Sequence, residues 1–488
     1  MNKTRWFFFA LFVLLLAARL CHIEILWAEE TLPLAAAQQM RAGKVLYRDI
    51  WFDKPPFAPV FFALVGGEAG WPLRTTGALY ALLCCVLAWG FARELWGERE
   101  GIWAAGLLGF FLVFDFPSSV IPLAADLWML APHLAAVWMS YRRRPLWAGA
   151  LAGLAFAISP KGALVLAVCA WWSPSWLLLA GFAGVTGAVT AWMWIVGALP
   201  GYWDEVWRWG RIYAGATFVE SPLRNGFVRT LNWAGFHVAI VVAALWGRLQ
   251  PAHRLQSVPG SIDHRSLTVA ALTGARSRAE RTLTTGWVVW LAISLAGVAA
   301  GMRFFPRYYF QLLPVVVLLA ARGFAVLERR RRVAVALLLL IPLGRFAPTY
   351  VQAARDGGWR DTAMDRDSRA AARVVSAAAK PGDTLFVWGY RPEIYVYAHV
   401  PAATRFLDSQ PLTGVPADRH LTQSAPVETA ESGARRAELA ASRPTFIVDG
   451  LGEFNRHLAV TEFGDLRAWL AEYRELARTA NSVIYTRR

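Results

Sequence analysis

Long apolar stretches separated by short polar segments run from the N-terminus to about residue 350 of the chain. About 20 apolar residues are needed to cross the hydrocarbon core of a bilayer. We predict eleven spans, near residues 6–26, 73–93, 101–115, 124–140, 146–159, 162–172, 176–198, 233–247, 284–302, 308–324 and 333–349. The pattern therefore predicts an all-α polytopic membrane domain over residues 1–352.

The pattern changes in residues 353–488, where charged residues recur every few positions and apolar runs are short. Alternating and β-rich segments predict strands at 384–389, 444–450 and 482–488. Helical periodicity predicts helices over 367–379, 391–398, 431–441 and 462–476. This tail is expected to be a small water-soluble α/β domain.

The stretch 146–172 has two interpretations, because Ser159, Pro160 and Lys161 interrupt it. It forms either one kinked helix or two short ones, and the parity of the span count depends on the choice. Two short spans keep the loop 248–283, with its six arginines, on the same side as the N-terminus. The positive-inside bias favours that arrangement.

Composition supports a membrane protein, since 56% of the residues are hydrophobic and only 17% are charged. The net charge of +16 arises mainly from basic residues on the side of the N-terminus, including 142–144 and 329–332. That side is therefore predicted to be cytoplasmic and the tail extracytoplasmic, with the chain in the cytoplasmic (inner) membrane. Determination of topology and contact with anionic lipid explain these basic clusters better than nucleic-acid binding. All four cysteines lie in predicted spans, which argues against a disulfide framework.

Acidic residues in the outer loops are the first candidate chemistry, because carboxylates near a bilayer are costly unless they are paired or functional. They are Glu29, Glu30, Asp49, Asp53, Asp115 and Asp126, with Lys54 beside Asp53. An active site that faces the outside would use such a group of residues. Ordinary solvated acids and local ion pairs would produce the same pattern, and residue types alone do not decide between the two.

Basic residues at the outer ends of spans are the second candidate feature. Lys161, Arg303 and Arg307, the last followed by Tyr308, lie where the positive-inside bias makes cations unexpected. A lipid phosphate or diphosphate would explain them, because Arg and Lys bind phosphate oxygens through charge-assisted hydrogen bonds. Snorkelling to headgroups is the alternative. The aromatic segment 201–213 is either part of an interfacial belt or a guide for a lipid substrate.

The order of these motifs resembles a known family, the polytopic GT-C glycosyltransferases of family 39 type. That group includes protein O-mannosyltransferases, the aminoarabinose transferase of lipid A and transferases of lipopolysaccharide cores. The resemblance covers residues 1 to about 330. It is carried by the acidic pair Glu29-Glu30, Tyr47-Arg-Asp49, Lys54-Pro-Pro-Phe57, Arg74, Ala-Asp126-Leu, Ser-Pro-Lys161 and the run from Arg307 to Pro314.

The resemblance implies that a sugar passes from a polyprenyl-phosphate donor to a lipid, glycan or protein acceptor on the outer face of the membrane. The base of the family maps onto Glu29, with Glu30 beside it, although the family usually has Asp then Glu at these positions. Substrate binding is then expected from Asp49, Asp53, Lys54, Arg74, Asp126, Lys161, Arg303, Arg307 and Tyr308. A single carboxylate opposite the leaving group predicts inversion at the anomeric carbon.

No cofactor is required by the spacing of these residues, although Glu29, Glu30, Asp49 and Asp126 would offer oxygen ligands to Mg or Mn if they converged. A transporter or lipid flippase is the main alternative function, and a noncatalytic scaffold is a third. Both features of a carrier are missing from the sequence: we find no inverted repeat, and the acids cluster in outer loops instead of at mid-membrane depth.

Overall fold

The structure is a computed structural model that describes residues 2–215, 221–249, 285–356, 362–416 and 423–488. Helices make up most of it, and one four-stranded sheet lies in the tail. Up to residue 195, the helices are Asn2–Leu20, Ala28–Arg41, Phe57–Val65, Trp71–Trp96, Glu98–Phe111, Pro117–Val120, Ala125–Tyr141, Pro145–Ile158, Gly162–Trp172 and Trp176–Ile195. The later ones, up to residue 356, are Leu199–Tyr202, Trp203–Arg208, Trp209–Gly215, Pro222–Phe236, Val238–Leu249, Thr285–Ala299, Pro306–Gln311, Leu313–Val326, Arg329–Leu337 and Leu340–Asp356.

Each predicted span lies on one helix or on two consecutive helices, and the helices differ in how well they suit a bilayer. In the described ranges, three helical stretches are long and apolar enough to cross a bilayer by length and composition: Trp71–Trp96, Trp176–Ile195 and Arg329–Arg355. The last stretch takes in the consecutive helices Arg329–Leu337 and Leu340–Asp356, apart from Asp356. A fourth crossing would be the pair Pro222–Phe236 and Val238–Gly247, which is bent by 83°. Four further apolar helices are shorter than 18 residues. The count of eleven crossings therefore stays a prediction, and most of the arginine-rich loop 248–283 lies outside the described residues.

The stretch 146–172 forms two helices, Pro145–Ile158 and Gly162–Trp172, as the interrupted pattern predicted. The chain reverses tightly between them, and Gly162 allows this close approach. A Cβ atom at that position would lie 2.2 Å from the backbone nitrogen of Phe156. The reversal places Lys161 at the end of both helices, where its side chain is 18% exposed.

The sheet of the tail has the order β1-β2-β4-β3. Its strands are β1 (Leu385–Trp388), β2 (Phe446–Asp449), β3 (Tyr473–Arg478) and β4 (Val483–Arg487). β1 and β2 are parallel, and the other two pairings are antiparallel. Helices Ala363–Ala378, Glu393–Ala398 and Ala430–Ala441 accompany the sheet, with short turns at Gln410–Thr413 and between Arg456 and Leu470. These elements confirm the predicted strands 384–389, 444–450 and 482–488 and the first three predicted helices.

The predicted helix 462–476 was wrong in its second half, which forms edge strand β3. Only Arg467–Leu470 is α-helical there, after a short 3-10 turn. Good helix formers such as Glu475, Leu476 and Ala477 suggested a helix, but backbone pairing with β4 outweighs that weak preference. The strand is mostly exposed on both faces, so its burial pattern gives no period of two in the sequence.

The tail packs directly on the loop 27–72, which is the first of the predicted outer loops and is called the first outer loop. The backbone N–H of Leu26 donates to Asp365, Lys44 donates to the carbonyl of Ala402 at 2.8 Å, and Trp51 N–H donates to the carbonyl of Arg405 at 2.8 Å. The helix Leu340–Asp356 runs through the expected boundary between residues 352 and 353. Residues from both parts of the chain therefore meet at the outer loops.

Candidate functional site

Eight of the residues predicted to form a site line one cavity of about 280 Å³ beside the first outer loop. Four cations and three carboxylates face it, so the cavity carries one net positive charge. The eight are Glu29, Asp53, Lys54, Asp126, Lys161, Arg303, Arg307 and Tyr308. Residues that lie up to 279 positions apart in the sequence thus converge.

Arg307 links the two carboxylates at the centre of the cavity. Its guanidinium lies 2.8 Å from Glu29 Oε1 and 3.7 Å from Asp126 Oδ2. Each acid occupies the first turn of a helix, Ala28–Arg41 or Ala125–Tyr141, where the positive end of the helix dipole stabilises negative charge. Arg307 is fixed by the 3-10 helix Pro306–Gln311. Burial opposes its charge, but Glu29, Tyr308 and Asp126 together raise its pKa.

Lys161 completes the cationic side of the cavity. Its Nζ lies 3.5 Å from Asp126 Oδ1 and 3.5 Å above the ring of Tyr308. A cation over an aromatic face is attracted by the quadrupole of the ring. Burial lowers the pKa of the Lys161 ammonium, Asp126 opposes that effect, and Arg307 adds to it. Lys161 therefore has a buried ammonium group with one carboxylate close to it among the described residues, which suits an anionic ligand.

Lys54 and Asp53 approach the same cavity from the first outer loop. Lys54 Nζ lies 3.8 Å from Glu29 Oε2. Burial raises the pKa of the Asp53 carboxyl, while the neighbouring Lys54 lowers it. Asp53 Oδ1 has no hydrogen-bond partner among the described residues. A buried acceptor without a partner is costly, and a ligand that donates a hydrogen bond would satisfy it.

Arg303 lies on a backbone segment with unusual conformation. Gly301, Met302 and Phe304 all have positive φ, at 78°, 53° and 50°. Such conformations cost free energy for residues other than glycine and cluster at functional sites. The Arg303 guanidinium stacks 3.7 Å from the ring centre of Tyr213 and donates to the carbonyl of Tyr213. The strained turn thus holds a buried cation against the aromatic segment.

Glu30 and Arg74 lie outside the cavity and pair with each other. Arg74 donates to both carboxylate oxygens of Glu30, at 2.6 and 3.1 Å, and both side chains are fully buried. Arg74 also donates to the carbonyls of His22 and Ile25, and Glu30 Oε1 accepts from Trp27 N–H. This network fixes the backbone on either side of Glu29.

Asp49 also lies outside the cavity. It pairs with the adjacent Arg48 at 2.9 Å and accepts a hydrogen bond from Val45 N–H. The Arg48 guanidinium lowers the pKa of the Asp49 carboxyl. Its contacts are those of a turn-stabilising residue in the outer loop. Asp115 is likewise engaged elsewhere, 3.2 Å from His237 Nε2.

Several cavity residues were missed by sequence reasoning. Tyr390 and Gln410 come from the tail, where nothing in the sequence pointed to a site, and Trp209 and Tyr213 come from the aromatic segment. That segment is helical from Leu199 to Gly215 and contains the π-helical turn Trp203–Arg208. For Trp209 and Tyr213, the alternation of aromatic residues in 201–213 was the sequence feature that could have predicted a place in the site.

Glu205 was also missed, although it holds three segments together. Its carboxylate accepts from Phe52 N–H at 2.9 Å and pairs with Arg405 of the tail. Phe52 directly precedes Asp53 and Lys54. Gly201, on the same helical segment, lies against the backbone of the first outer loop, and a Cβ atom there would lie 2.1 Å from the Tyr47 carbonyl oxygen. Glu205 is therefore a positioning residue for one side of the cavity.

The four carboxylates considered as metal ligands do not all converge, since only Glu29 and Asp126 line the cavity. Glu29 pairs with Arg307, Glu30 with Arg74, Asp49 with Arg48, and Asp126 with Lys161. Within the described ranges, no group of three or more His, Cys, Asp or Glu residues is arranged to hold a metal ion. Cations of the protein occupy the positions beside these oxygens.

Comparison with known proteins gives similarity of fold. No protein-family profile and no curated protein sequence match the chain. ArnT from Cupriavidus metallidurans bound to undecaprenyl phosphate is similar with a TM-score of 0.61 at 13% identity, covering 99% of this chain and 98% of that one. Its apo state gives 0.58 at 14% identity over the same shares. The oligosaccharyltransferase AglB from Archaeoglobus fulgidus gives 0.44 at 14% identity, covering 99% of this chain and 74% of its own.

ArnT is the lipid A aminoarabinose transferase, a GT-C glycosyltransferase. The similarity extends over nearly the full length of both chains. The predicted polytopic GT-C fold is therefore confirmed.

Proposed function

We propose that this chain is a membrane glycosyltransferase that moves a sugar from a polyprenyl-phosphate donor to an acceptor hydroxyl. The observation that carries the proposal is the contact between Glu29 and Arg307 inside a cavity that also holds Lys54, Lys161 and Arg303. A carboxylate for proton abstraction and an excess of cations for a phosphate thus line one cavity. The ArnT fold agrees, and ArnT has been crystallised with undecaprenyl phosphate.

The reaction needs few groups, because a sugar linked to phosphate through its anomeric carbon already carries a good leaving group. The acceptor oxygen gives its proton to Glu29 and forms a bond to the anomeric carbon. The bond from that carbon to the phosphate oxygen breaks, and the electron pair leaves with the polyprenyl phosphate. Glu29 then returns its proton to water. Attack opposite the leaving group gives inversion.

The cations have separate tasks in this mechanism. Lys161 and Arg303 would hold the donor phosphate and stabilise the negative charge that grows on it as the sugar leaves. Arg307 lies between Glu29 and Asp126 and so sets the distance between base and phosphate. The same cavity is lined by the small residues Ala214, Ala300 and Gly301. These residues would leave room for the polyprenyl chain of the donor to extend from the cavity between the helices.

The orientation of the chain in the membrane is part of the same proposal. Placing the cavity on the outer face of the cytoplasmic membrane requires a cytoplasmic N-terminus and a tail, residues 353–488, on the outside. The positive-inside bias of the sequence supports this topology. Membership of family 39 is part of the proposal and rests on the order of the motifs from Glu29 to Pro314.

Replacing Glu29 by Gln tests the base. We expect kcat to fall about 100-fold or more, the usual contribution of a general base, with unchanged binding of undecaprenyl phosphate. The assay purifies the protein in detergent, offers polyprenyl-phosphate sugars and measures release of the free polyprenyl phosphate. Glu68→Gln makes the same chemical change at an exposed position of the same outer loop and should leave turnover unchanged.

Two results would contradict the proposal. Turnover of Glu29→Gln near the wild-type rate would move the base to Asp53 or Asp126, the other carboxylates of the cavity. Absence of turnover with every polyprenyl-phosphate sugar, together with solute flux in vesicles, would favour a transporter.

A further inference from the structure

A second cavity, of about 670 Å³, also has Glu29 and Arg307 in its lining. These two residues line both cavities, so the first cavity and the second share one wall. The rest of the second cavity comes from residues 25–28, from Ser118 and from seven residues of the tail. The candidate base can therefore be reached from two directions.

The lining of the second cavity points to the aqueous phase. Ser118 belongs to an outer loop, and residues 25–28 follow the first helix, which ends at Leu20. The tail supplies Ala363, Met364, Asp365 and further residues. Of the predicted spans, only the last two residues of 6–26 enter this described lining, whereas the first cavity includes Ala125, Ile158 and Ala300 from the ends of three other spans. A ligand of the second cavity thus enters between the outer loops and the tail.

The polar groups of the second cavity fit a neutral ligand rich in hydroxyl groups. Glu29 and Asp365 balance Arg307 and Arg391, so the lining has no excess charge. Asn481 and Ser118 are exposed and offer an amide and a hydroxyl. Aromatic side chains, Trp27 and Phe454, provide flat apolar surface among these polar groups. Sugar rings combine apolar C–H faces with hydroxyl groups and match such a lining.

A peptide fits the second cavity less well. Extended peptides commonly bind by adding a strand to the edge of a sheet. The edges of this sheet are β1 and β3, while Phe454 follows the internal strand β2 and Asn481 precedes the internal strand β4. The cavity therefore offers loop ends instead of an unpaired strand.

We propose that the second cavity binds the saccharide part of the acceptor and presents one of its hydroxyl groups to Glu29. This inference rests on the proposed glycosyl transfer and assigns its acceptor class. Donor and acceptor then reach Glu29 from opposite sides of the wall formed with Arg307. The saccharide is either free or the head of a glycolipid whose lipid part stays outside the cavity.

Three alanine-to-tryptophan variants test this assignment. Ala363→Trp fills the second cavity, Ala214→Trp fills the first, and Ala377→Trp places the same bulk at an exposed position on the helix of Ala363. Ser118→Trp fills the second cavity from another segment, in case Ala363→Trp does not fold. The probes are undecaprenyl phosphate for binding and an envelope extract of the native host as the source of acceptor.

We expect Ala363→Trp and Ser118→Trp to lower the initial rate of sugar transfer at least tenfold at limiting extract, with unchanged Kd for undecaprenyl phosphate. Ala214→Trp should weaken binding of undecaprenyl phosphate at least tenfold, and Ala377→Trp should match the wild type. The labelled product should resist protease and should release labelled saccharide on acid hydrolysis. Chloroform extraction then separates a glycolipid from a free glycan.

Wild-type transfer rates in both Ala363→Trp and Ser118→Trp would overturn the acceptor site while leaving the proposed function intact. A protease-sensitive product would overturn the saccharide class. If the wild type releases no polyprenyl phosphate from any donor, the proposed function itself fails.

Discussion

At the scale of single residues, the position of Lys161 has consequences for pH dependence. Its ammonium is buried beside Arg307 and is opposed by one carboxylate, that of Asp126. Burial lowers the pKa of Lys161, so this side chain loses its charge at a lower pH than an exposed lysine does. Binding of a lipid phosphate should therefore weaken as the pH rises through that lowered pKa.

Replacing Lys161 by Arg tests this reasoning. A guanidinium stays charged at any pH that proteins tolerate, so the alkaline loss of binding should move to higher pH in Lys161→Arg. The measurement is the Kd for undecaprenyl phosphate between pH 7 and pH 10. Lys380→Arg, an exposed change in the tail, should leave the profile where it is. Identical alkaline profiles for Lys161→Arg and the wild type would remove Lys161 from the phosphate site.

Much of the candidate site was predictable at this scale, and the reason is the membrane. Charged residues at the outer ends of apolar segments are rare enough to stand out, which identified Glu29, Asp126, Lys161 and Arg307. The same reasoning could not separate Glu29 from Glu30. Their difference depends on Arg74, whose approach to Glu30 is a tertiary contact that no local pattern encodes.

At the scale of elements, the π-helical segment Trp203–Arg208 positions the loop of Asp53 and Lys54 through its residue Glu205. Replacing Glu205 by Ala removes the acceptor of Phe52 N–H and the partner of Arg405. A buried donor without a partner costs about 1–3 kcal/mol, and the loop of Asp53 and Lys54 should move. We expect kcat to fall at least tenfold, measured well below the unfolding temperature.

Glu205→Gln is the matched control, because its amide oxygen can still accept from Phe52 N–H while the ion pair is lost. It should recover most of kcat, which a general loss of stability would not predict. Wild-type kcat in Glu205→Ala would show that the segment does not position the loop.

Elements were predicted best where the hydrophobic signal is strong. The two helices on either side of Ser159–Lys161 and the buried strands β1 and β2 follow from pattern alone. Strand β3 was missed because it is exposed and its residues favour helices, so only its partner β4 defines it. Membership of Tyr390 and Gln410 in the cavity depends on how the tail docks, which the sequence does not encode locally.

At the scale of the whole molecule, docking of the tail involves a buried carboxyl that titrates. Asp365 accepts hydrogen bonds from Leu26 N–H and from the Tyr397 hydroxyl. Burial raises the pKa of Asp365 to about 6, with these hydrogen bonds and Arg369 opposing the shift. An acid with a raised pKa contributes stability at low pH, and that contribution is lost as the pH rises through about 6.

Asp365→Asn removes this titration. The unfolding temperature of the wild type minus that of Asp365→Asn should therefore decrease from pH 4 to pH 7. Differential scanning fluorimetry in detergent measures both proteins across this range. Asp383→Asn, in the turn of the tail where Asp383 accepts from Lys380 N–H, serves as the control. A difference that is constant with pH would show that Asp365 titrates normally.

The π-helical turn Trp203–Arg208 also bears on how this fold tolerates insertions and deletions. Such a turn holds about one residue more than an α-helical turn, and each residue of a helix rotates the next by about 100°. Deleting one residue there would restore a regular α-helix and rotate Trp209 and Tyr213 out of the first cavity, while Glu205 kept its place against the tail. A change of one residue in length at this turn should therefore be far more damaging than most substitutions along the same helix.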